Sequence, residues 1–502
     1  MGIRSFLSKP LAAYVVKKQK AWASEPAATQ ERVFQNLIKK AAGTAFGRDH
    51  DFGSIRNHAD FKERVPMRDY EGLRTYVDRM VQGEADVLWP GKPSYLSKTS
   101  GTTSGVKYIP ITKDSIPNHI NSARNALLNY VHETGNGQFL DGKLIFLSGS
   151  PELEEKNGIP VGRLSGIVNH HVPGYLRTNQ MPSYETNCIE DWEEKLEKII
   201  DETIDQDMSL ISGIPPWVQM YFDRISQRLG GRKIKDVFPN FGLFVYGGVN
   251  FEPYRAKLYE SIGGRVDSVE TYPASEGFIA FQDTQTEPGL LIQLDSGIFY
   301  EFIPAEEFFN DNPRRLRIDE VDLGRNYVII LNTNAGLWGY NIGDTVKFVS
   351  KDPYRLIVSG RIKHFISAFG EHVIGEEVEK AMQYAMKKHP EVEVVEFTVA
   401  PQVTPAEGLP LHEWFIEFAN PPENREAFEK TLNSQLQELN SYYDDLITGN
   451  ILRKLEVIPL QKGAFINYMR SEGKLGGQNK VPRLSNDRKI ADKLQSFRLE
   501  TN

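Results

Sequence analysis

Cysteine is nearly absent. Cys188 stands alone in a chain of 502 residues, so no intramolecular disulfide can form, and a reducing, cytoplasmic setting is expected. No run of about 18 apolar residues occurs, which argues against a membrane span. A basic excess is also missing. The net charge of −8 runs against a nucleic-acid partner, because phosphate backbones select basic surfaces. There is no CxxC pair, no HExxH and no clustered Cys/His spacing. His170 and His171 are adjacent and so project in different directions, and no dedicated metal site is expected from them. Internal repeats and low-complexity tracts are lacking too. The opening segment "MGIRSFLSKPLAAYVVKKQK" has a short apolar core followed at once by lysines, a poor secretory signal. Ser5 stands one place early for the myristoylation pattern, so the segment is expected to form an amphipathic helix packed on the main domain.

What remains is a chain of ordinary composition, 40% hydrophobic and 25% charged, too long for one common domain. Helical spacing dominates roughly residues 28–85, as in Val33, Leu37, Ile38 and Ala41. After a polar loop and a helix from about Lys113 to Glu133, "KLIFLSGS", "DMSLISGIPPWV", "FGLFVYGGVNFEP" and "RVDSVETYPASEG" read as buried strands running into glycine or proline loops. Strands alternating with helices predict an α/β fold with largely parallel pairing. Between Gly297 and Ser350 the strands become shorter and antiparallel in pattern, a small β-barrel-like part. Beyond about Gly360 the character shifts to a smaller α+β unit. The expected division is 1–358 and 359–502, with a hinge near 360–364.

Six segments carry chemistry. In "SKTSGTTSGVKYIP", Ser97, Thr99, Ser100, Thr102, Thr103 and Ser104 offer hydroxyls. Gly101 and Gly105 let backbone N–H groups approach a ligand, and Lys107 adds a cation. The set suits a polyphosphate, although it is not a Walker A loop. In "VYGGVNFEP", Gly247 and Gly248 end an apolar strand and leave room for a flat ring. In "ETYPASEG", Tyr272 can stack on a base, Ser275 can donate to phosphate, and Glu276 can hold a hard cation such as Mg²⁺. In "GYNIGDTV", Asp344 follows a glycine turn and can accept from a ribose diol. The fifth segment is "SGRIKHFISAFGEHVIGEEVEKA", and the sixth, "GKLGGQNKVPRLS", is a glycine-rich stretch with Lys474 and Lys480. Each alone is compatible with an ordinary turn or linker.

Their order resembles the adenylate-forming superfamily of acyl-CoA synthetases, luciferases and peptide-synthetase adenylation domains. "GRIKHFI…GEHVIGEEVE" is especially similar to that superfamily's hinge signature. The flanks "FKERVPMRDYEGLRTYVDRMVQGEADVLWPGKPSYLSKTSGTTSG", "WFIEFANPPEN", "LNSYYD" and "KGAFINYMRSEGKLGGQNKVPRL" resemble the plant auxin-responsive acyl-acid amido synthetases and their bacterial relatives.

The resemblance implies a large N-terminal adenylate-forming domain and a smaller mobile C-terminal one. It implies ATP and Mg²⁺, a small-molecule carboxylic acid, and an amine acceptor such as an amino acid. Ser100 to Gly105 fall on the phosphate loop, with Thr99 and Lys107 beside it. Gly247, Gly248 and Tyr272 fall around the adenine, Ser275 and Glu276 on the ATP and Mg²⁺ positions, Asp344 on the ribose ligand, and Arg361 on the hinge-side arginine. Lys480 fits the late catalytic lysine, with Lys474 its rival. Tyr246 and Phe278 are candidate walls of the acyl pocket. His364 stands where many superfamily members carry a pivot aspartate. The alternatives are an acyl-CoA ligase with a thiol acceptor, or a nucleotide-binding regulator that has lost its chemistry.

Overall fold

The computed structural model describes residues 2–100, 106–172, 174–189, 191–248, 251–362, 365–366, 373–403, 405, 407–448, 451–475, 480–485 and 487–499. The chain forms two compact units. The first comprises Met1–Ile342 and Val346–Ile357; the second comprises Gly343–Thr345, Val358–Leu475 and Asn479–Asn502.

The first unit is built around an eleven-stranded sheet. One half of it is parallel. Gln180–Met181, Lys143–Phe146, Met208–Ser212, Leu243–Gly247 and Asp267–Ala274 lie side by side in that order. The helices Trp192–Thr203, Pro215–Arg228 and Glu252–Ile262 return the chain between successive strands. Burial on both faces explains why these strands read as unbroken apolar runs. Ile145, Ile211, Phe244 and Tyr246 point into a core shared with those three helices. Their neighbours Leu144, Leu210, Leu243 and Val269 point to the opposite core, which also receives Ala12, Val15, Ala126 and Val131. The last four lie on the helices Ile3–Ala23 and Ile116–Thr134.

The other half of the sheet is antiparallel where its pairing is described. Gly277–Phe281 turns back on Asp267–Ala274, and Leu290–Ile292 and Tyr354–Arg361 follow. The short strands expected after Gly297, among them Ile298–Pro304 and Asn326–Thr333, extend this same sheet. A second, four-stranded sheet holds the hairpin of Tyr95–Ser100 and Val106–Ile111 together with Ile159–Gly162 and Glu154–Lys156.

The second unit repeats the two-sided logic on a smaller scale. Its three-stranded sheet has the order Glu393–Gln402, Leu411–Asn420, Glu456–Leu460. One face carries Phe397, Val399, Trp414, Ile416 and Val457 against the helices Gly375–Lys388 and Arg425–Leu439. The other carries Ala400, Phe415, Ile458 and Leu460 against Ala464–Ser471 and Lys489–Leu494. The Gly375–Lys388 helix starts where Glu377 accepts from the Ile374 backbone N–H at 3.0 Å. That bond satisfies one of the free amides at its N-terminus.

Candidate active site

Loops at the carboxyl ends of parallel strands are where open α/β sheets bind ligands. Three of the expected segments lie there or next to it in the first unit. Leu243–Gly247 ends in Gly247-Gly248, and its neighbour Asp267–Ala274 ends in Ser275-Glu276. The glycines have separate reasons. A Cβ on Gly247 would stand 2.3 Å from the Thr271 carbonyl oxygen and 2.7 Å from its hydroxyl, so any side chain would force the two strands apart. Gly248 takes φ +79°, in the left-handed region that disfavours side chains. Thr271 locks the pair by donating its hydroxyl to the Tyr246 carbonyl at 2.9 Å.

The hydroxyl-rich segment reaches the same place. Tyr95–Ser100 and Val106–Ile111 pair antiparallel, with Thr99 opposite Lys107 and Ser100 opposite Val106. Gly101, Thr102, Thr103, Ser104 and Gly105, which connect them, lie outside the described residues. The buried Ser97 donates its hydroxyl to the Ser275 hydroxyl at 3.0 Å. A single side-chain bond therefore joins the strand that enters the loop to the turn that carries Glu276. Lys107 holds its ammonium 5.5 Å from the Tyr70 ring centroid, and the Tyr70 hydroxyl accepts the Tyr108 backbone N–H at 3.0 Å.

Glu276 has a partner that the sequence reading did not single out. The Tyr340 hydroxyl reaches Glu276 Oε1 at 3.5 Å. Tyr340 is pushed far above the usual phenol range, first by burial and then by the Glu276 charge, so it stays protonated and can donate. In its segment, "GYNIGDTV", Gly343 takes φ +87° just ahead of Asp344, and the strand Tyr340–Lys351 runs across it.

Tyr272, four residues ahead of Glu276, is only 7% exposed and packs in a core with Ile279, Leu290 and Tyr300. Tyr246 is buried among Phe244 and Phe251, and Phe278 beside Phe281. Core packing thus gives both proposed pocket residues a reason to be aromatic that needs no acyl group.

Asp344, Arg361 and Lys480 meet in the second unit. Arg361 Nε donates to Asp344 Oδ1 at 2.7 Å. Asp344 lies in the Tyr340–Lys351 strand and Arg361 ends the strand Tyr354–Arg361. Lys480 is pulled down to about 8 by desolvation, with Asp344 opposing the shift and Arg361 reinforcing it. Its side chain keeps solvent access, so the surroundings are crowded rather than sealed, and water screens part of that effect. Lys474 lies near Glu472, whose carboxyl is lowered mainly by its bond to Lys493 and further by Lys474.

Among the described residues no group of three or more His, Cys, Asp or Glu side chains could hold a metal ion. One carboxylate suits an ion that takes its other ligands from phosphates and water, as Mg²⁺ does, and Glu276 fits that donor set.

Three stretches of the chain match models of one protein family. The GH3 family N-terminal domain matches residues 15–183, the GH3 family central domain 291–361, and the GH3 family C-terminal domain 376–489. A jasmonoyl–L-amino acid synthetase of Nicotiana attenuata, JAR4, is 22% identical over 384 residues, covering 63% of this chain and 66% of that protein. The rice jasmonoyl–L-amino acid synthetase GH3.5 is 22% identical over 555 residues, covering 92% of this chain and 93% of its own. The solved structure of the acyl acid amido synthetase AtGH3.15 with 2,4-DB superposes with a TM-score of 0.79 at 17% identity, over 97% of this chain and 96% of that one.

Proposed function

This chain belongs to the GH3 family, and on that premise we propose that it is an ATP-dependent acyl acid amido synthetase. The carboxylate of a small organic acid attacks the α-phosphorus of ATP, the bond to the β-phosphate breaks, and pyrophosphate leaves. An amine, most simply that of an amino acid, then attacks the acyl carbon of the acyl-adenylate. AMP leaves, and the amine's proton passes to solvent. The observation that carries this reading is the Ser97–Ser275 bond, 3.0 Å long. It ties the strand that leads into the hydroxyl-rich segment to the turn that carries Glu276 at the end of the parallel strands.

The first step brings two anions together, so its barrier is electrostatic, and preorganised donors and cations are what lower it. Thr99, Ser100, Gly101, Thr102, Thr103, Ser104 and Gly105 would hold the β- and γ-phosphates, with Lys107 nearby. Gly247, Gly248 and Tyr272 would border the adenine, and Ser275 would donate to the phosphates. Asp344 and Arg361 would take the ribose hydroxyls. Lys480 would supply a positive charge to the reacting phosphate. Glu276 would hold Mg²⁺, which when bound screens the triphosphate charge. Holding the acid in line supplies much of the remaining acceleration, because a bimolecular encounter becomes effectively unimolecular. No side-chain nucleophile is required.

The two half-reactions make opposite demands: the first needs the Lys480 charge, and the second needs access for the amine. Residues 359–502 would serve both by turning about 360–364, with the rotation absorbed by a few backbone dihedrals. With a single cysteine, and so no intramolecular disulfide, the enzyme would suit a reducing, cytoplasmic compartment.

The test is pyrophosphate exchange. Labelled pyrophosphate should enter ATP only when a suitable carboxylic acid is present, and silence across a broad acid panel would leave a nucleotide-binding regulator instead. Trapping the adenylate with amines and with thiols then separates an amido synthetase from an acyl-CoA ligase.

A further inference from the structure

The helix Ile3–Ala23 buries one face and leaves large apolar side chains exposed on the other. Ser5, Ser8, Ala12, Val15, Val16 and Gln19 are buried. The Gln19 and Asn129 amides exchange bonds of 2.9 and 2.8 Å beneath the helix. On the outward side Ile3 is 80% exposed, Phe6 66%, Leu7 59%, Tyr14 55% and Leu11 43%. At 100° per residue these five occupy a sector roughly 140° wide, opposite the buried stripe. The row runs for about 17 Å along the axis at 1.5 Å per residue. Single exposed apolar residues are ordinary on protein surfaces, but a contiguous row of large ones is not.

Charge says what the row faces. Arg4, Lys9, Lys17, Lys18 and Lys20 are the only charged residues before Glu25. On the same projection Arg4 flanks one edge of the apolar sector, Lys9 and Lys20 the other, while Lys17 and Lys18 continue it. Lys18 lies 4.6 Å from the Tyr14 ring centroid. Among the described residues none of the five cations forms an ion pair with a carboxylate. A protein of net charge −8 thus places five positive charges around this exposed apolar stripe. The five apolar residues also precede the match to the shared N-terminal domain, which begins at residue 15. The family's common chemistry therefore does not account for them.

We propose that this helix is a peripheral membrane-docking element that lays its outward face on an anionic lipid surface. Ile3, Phe6, Leu7 and Leu11 enter the interface, Tyr14 sits at headgroup level, and the flanking cations meet lipid phosphates and carboxylates. An amphipathic helix ringed by Lys and Arg binds in this way, reversibly and without spanning. No helix among the described residues is long and apolar enough to cross a membrane, so the element lies on the bilayer. The inference is independent of the amide chemistry.

Co-sedimentation of the full chain with vesicles tests it. Vesicles of phosphatidylcholine with phosphatidylserine should bind the protein, and vesicles of phosphatidylcholine alone should bind it far less. High salt should weaken the binding, since the attraction falls off within a Debye length. Neutralising Lys17 and Lys18 together (Lys17→Gln, Lys18→Gln) should weaken it about 25-fold, at about fivefold per charge near an anionic surface. Leu7→Glu with Leu11→Glu should abolish it. Both residues point outward, so unchanged thermal denaturation and unchanged pyrophosphate exchange are expected and control for misfolding. No binding to anionic vesicles, or equal binding to neutral ones, overturns the proposal. So does a concentration-dependent dimer that Leu7→Glu and Leu11→Glu dissociate while vesicles bind neither form, because the stripe would then cover a second copy of the chain.

Discussion

Ser97 Oγ lies 3.0 Å from Ser275 Oγ, although the two residues are 178 positions apart. The bond fixes where the loop after Ser100 begins relative to Glu276. Ser97→Ala should therefore misplace the triphosphate without disturbing the cores. A net hydrogen bond is worth about 0.5–1.5 kcal/mol, so kcat/KM for ATP should fall roughly 2- to 13-fold. The Tm should move little. Titrating ATP in pyrophosphate exchange, alongside a melting curve, measures both. An unchanged kcat/KM would remove the Ser97–Ser275 bond from the nucleotide site.

Glu276 and Tyr340 should separate by magnitude. Glu276→Gln keeps the shape but removes the only charge there proposed to face Mg²⁺, so exchange should drop by about 10²-fold or more, as when a preorganised electrostatic group is lost. Excess Mg²⁺ should not restore it. Tyr340→Phe deletes only the donor 3.5 Å from Glu276 Oε1. Its effect should stay within about tenfold, and should show as a higher Mg²⁺ requirement. Equal losses in the two variants would mean that Tyr340 itself touches substrate.

Desolvation pulls the Lys480 ammonium down to about 8, which would give adenylation a pH signature. If the positive charge is what the step needs, kcat/KM for ATP should be full below about pH 8 and fall as pH rises through it, because kcat/KM reports the free enzyme. Lys480→Arg keeps its charge throughout the accessible range, so the alkaline limb should vanish even if the rate drops. Asp344→Asn removes the one interaction that raises the Lys480 pKa and should move the limb to lower pH. Stopped-flow measurement of pyrophosphate release over pH 6.5 to 9.5 would check this, and a limb unmoved in Lys480→Arg would assign it to another group.

The legible part of the fold was the part fixed by local pattern. Leu144-Ile145, Leu210-Ile211 and Leu243-Phe244 alternate between two cores, and a strand buried on both faces must be apolar throughout, so the sequence displays it. The helix expected over Lys113–Glu133 is Ile116–Thr134 for the same reason. In "GYNIGDTV" the glycines signal a turn, and Gly343 does take φ +87°, but the sheet carries the strand Tyr340–Lys351 across it. Nothing local marks Tyr340, because its partner Glu276 lies 64 positions away in the chain. Lys195 shows a different limit. It is buried 2% exposed, donating to the Ser148 and Asn187 carbonyls at 3.0 and 2.6 Å, and is lowered to about 8 by burial. Nothing in "WEEKLEK" marks that lysine as different from its neighbours, because its partners are backbone carbonyls of two other segments, Ser148 and the helix Tyr184–Cys188.

Glu301 was equally invisible in "GIFYEFIP", and it supports the last prediction. Its carboxylate has no exposed surface. It receives Arg315 Nε at 2.9 Å and Nη2 at 2.6 Å, and Asn332 Nδ2 at 3.0 Å, while His58 Nε2 lies 2.7 Å away. Burial raises its pKa, but the Arg315 charge and the His58 contact outweigh burial and bring it down to about 2 from 4.5. The folded pKa lies below the unfolded one, so the stabilisation is fully present above about pH 4.5 and is lost as pH falls towards 2. A shift of that size corresponds to something on the order of 3 kcal/mol. Glu301→Gln leaves Arg315 buried without its counter-charge and should cost about 3–5 kcal/mol at neutral pH. Other carboxylates titrate over the same acid range, so the absolute curve of either protein is not diagnostic. The difference is: denaturant unfolding followed from pH 6 to pH 3 should show the gap between wild type and Glu301→Gln narrowing as the carboxylate of the unfolded wild-type chain takes up its proton while the folded one stays ionised. A gap constant across that range would mean that Glu301 is already protonated in the folded protein, and that the network is held by neutral hydrogen bonds.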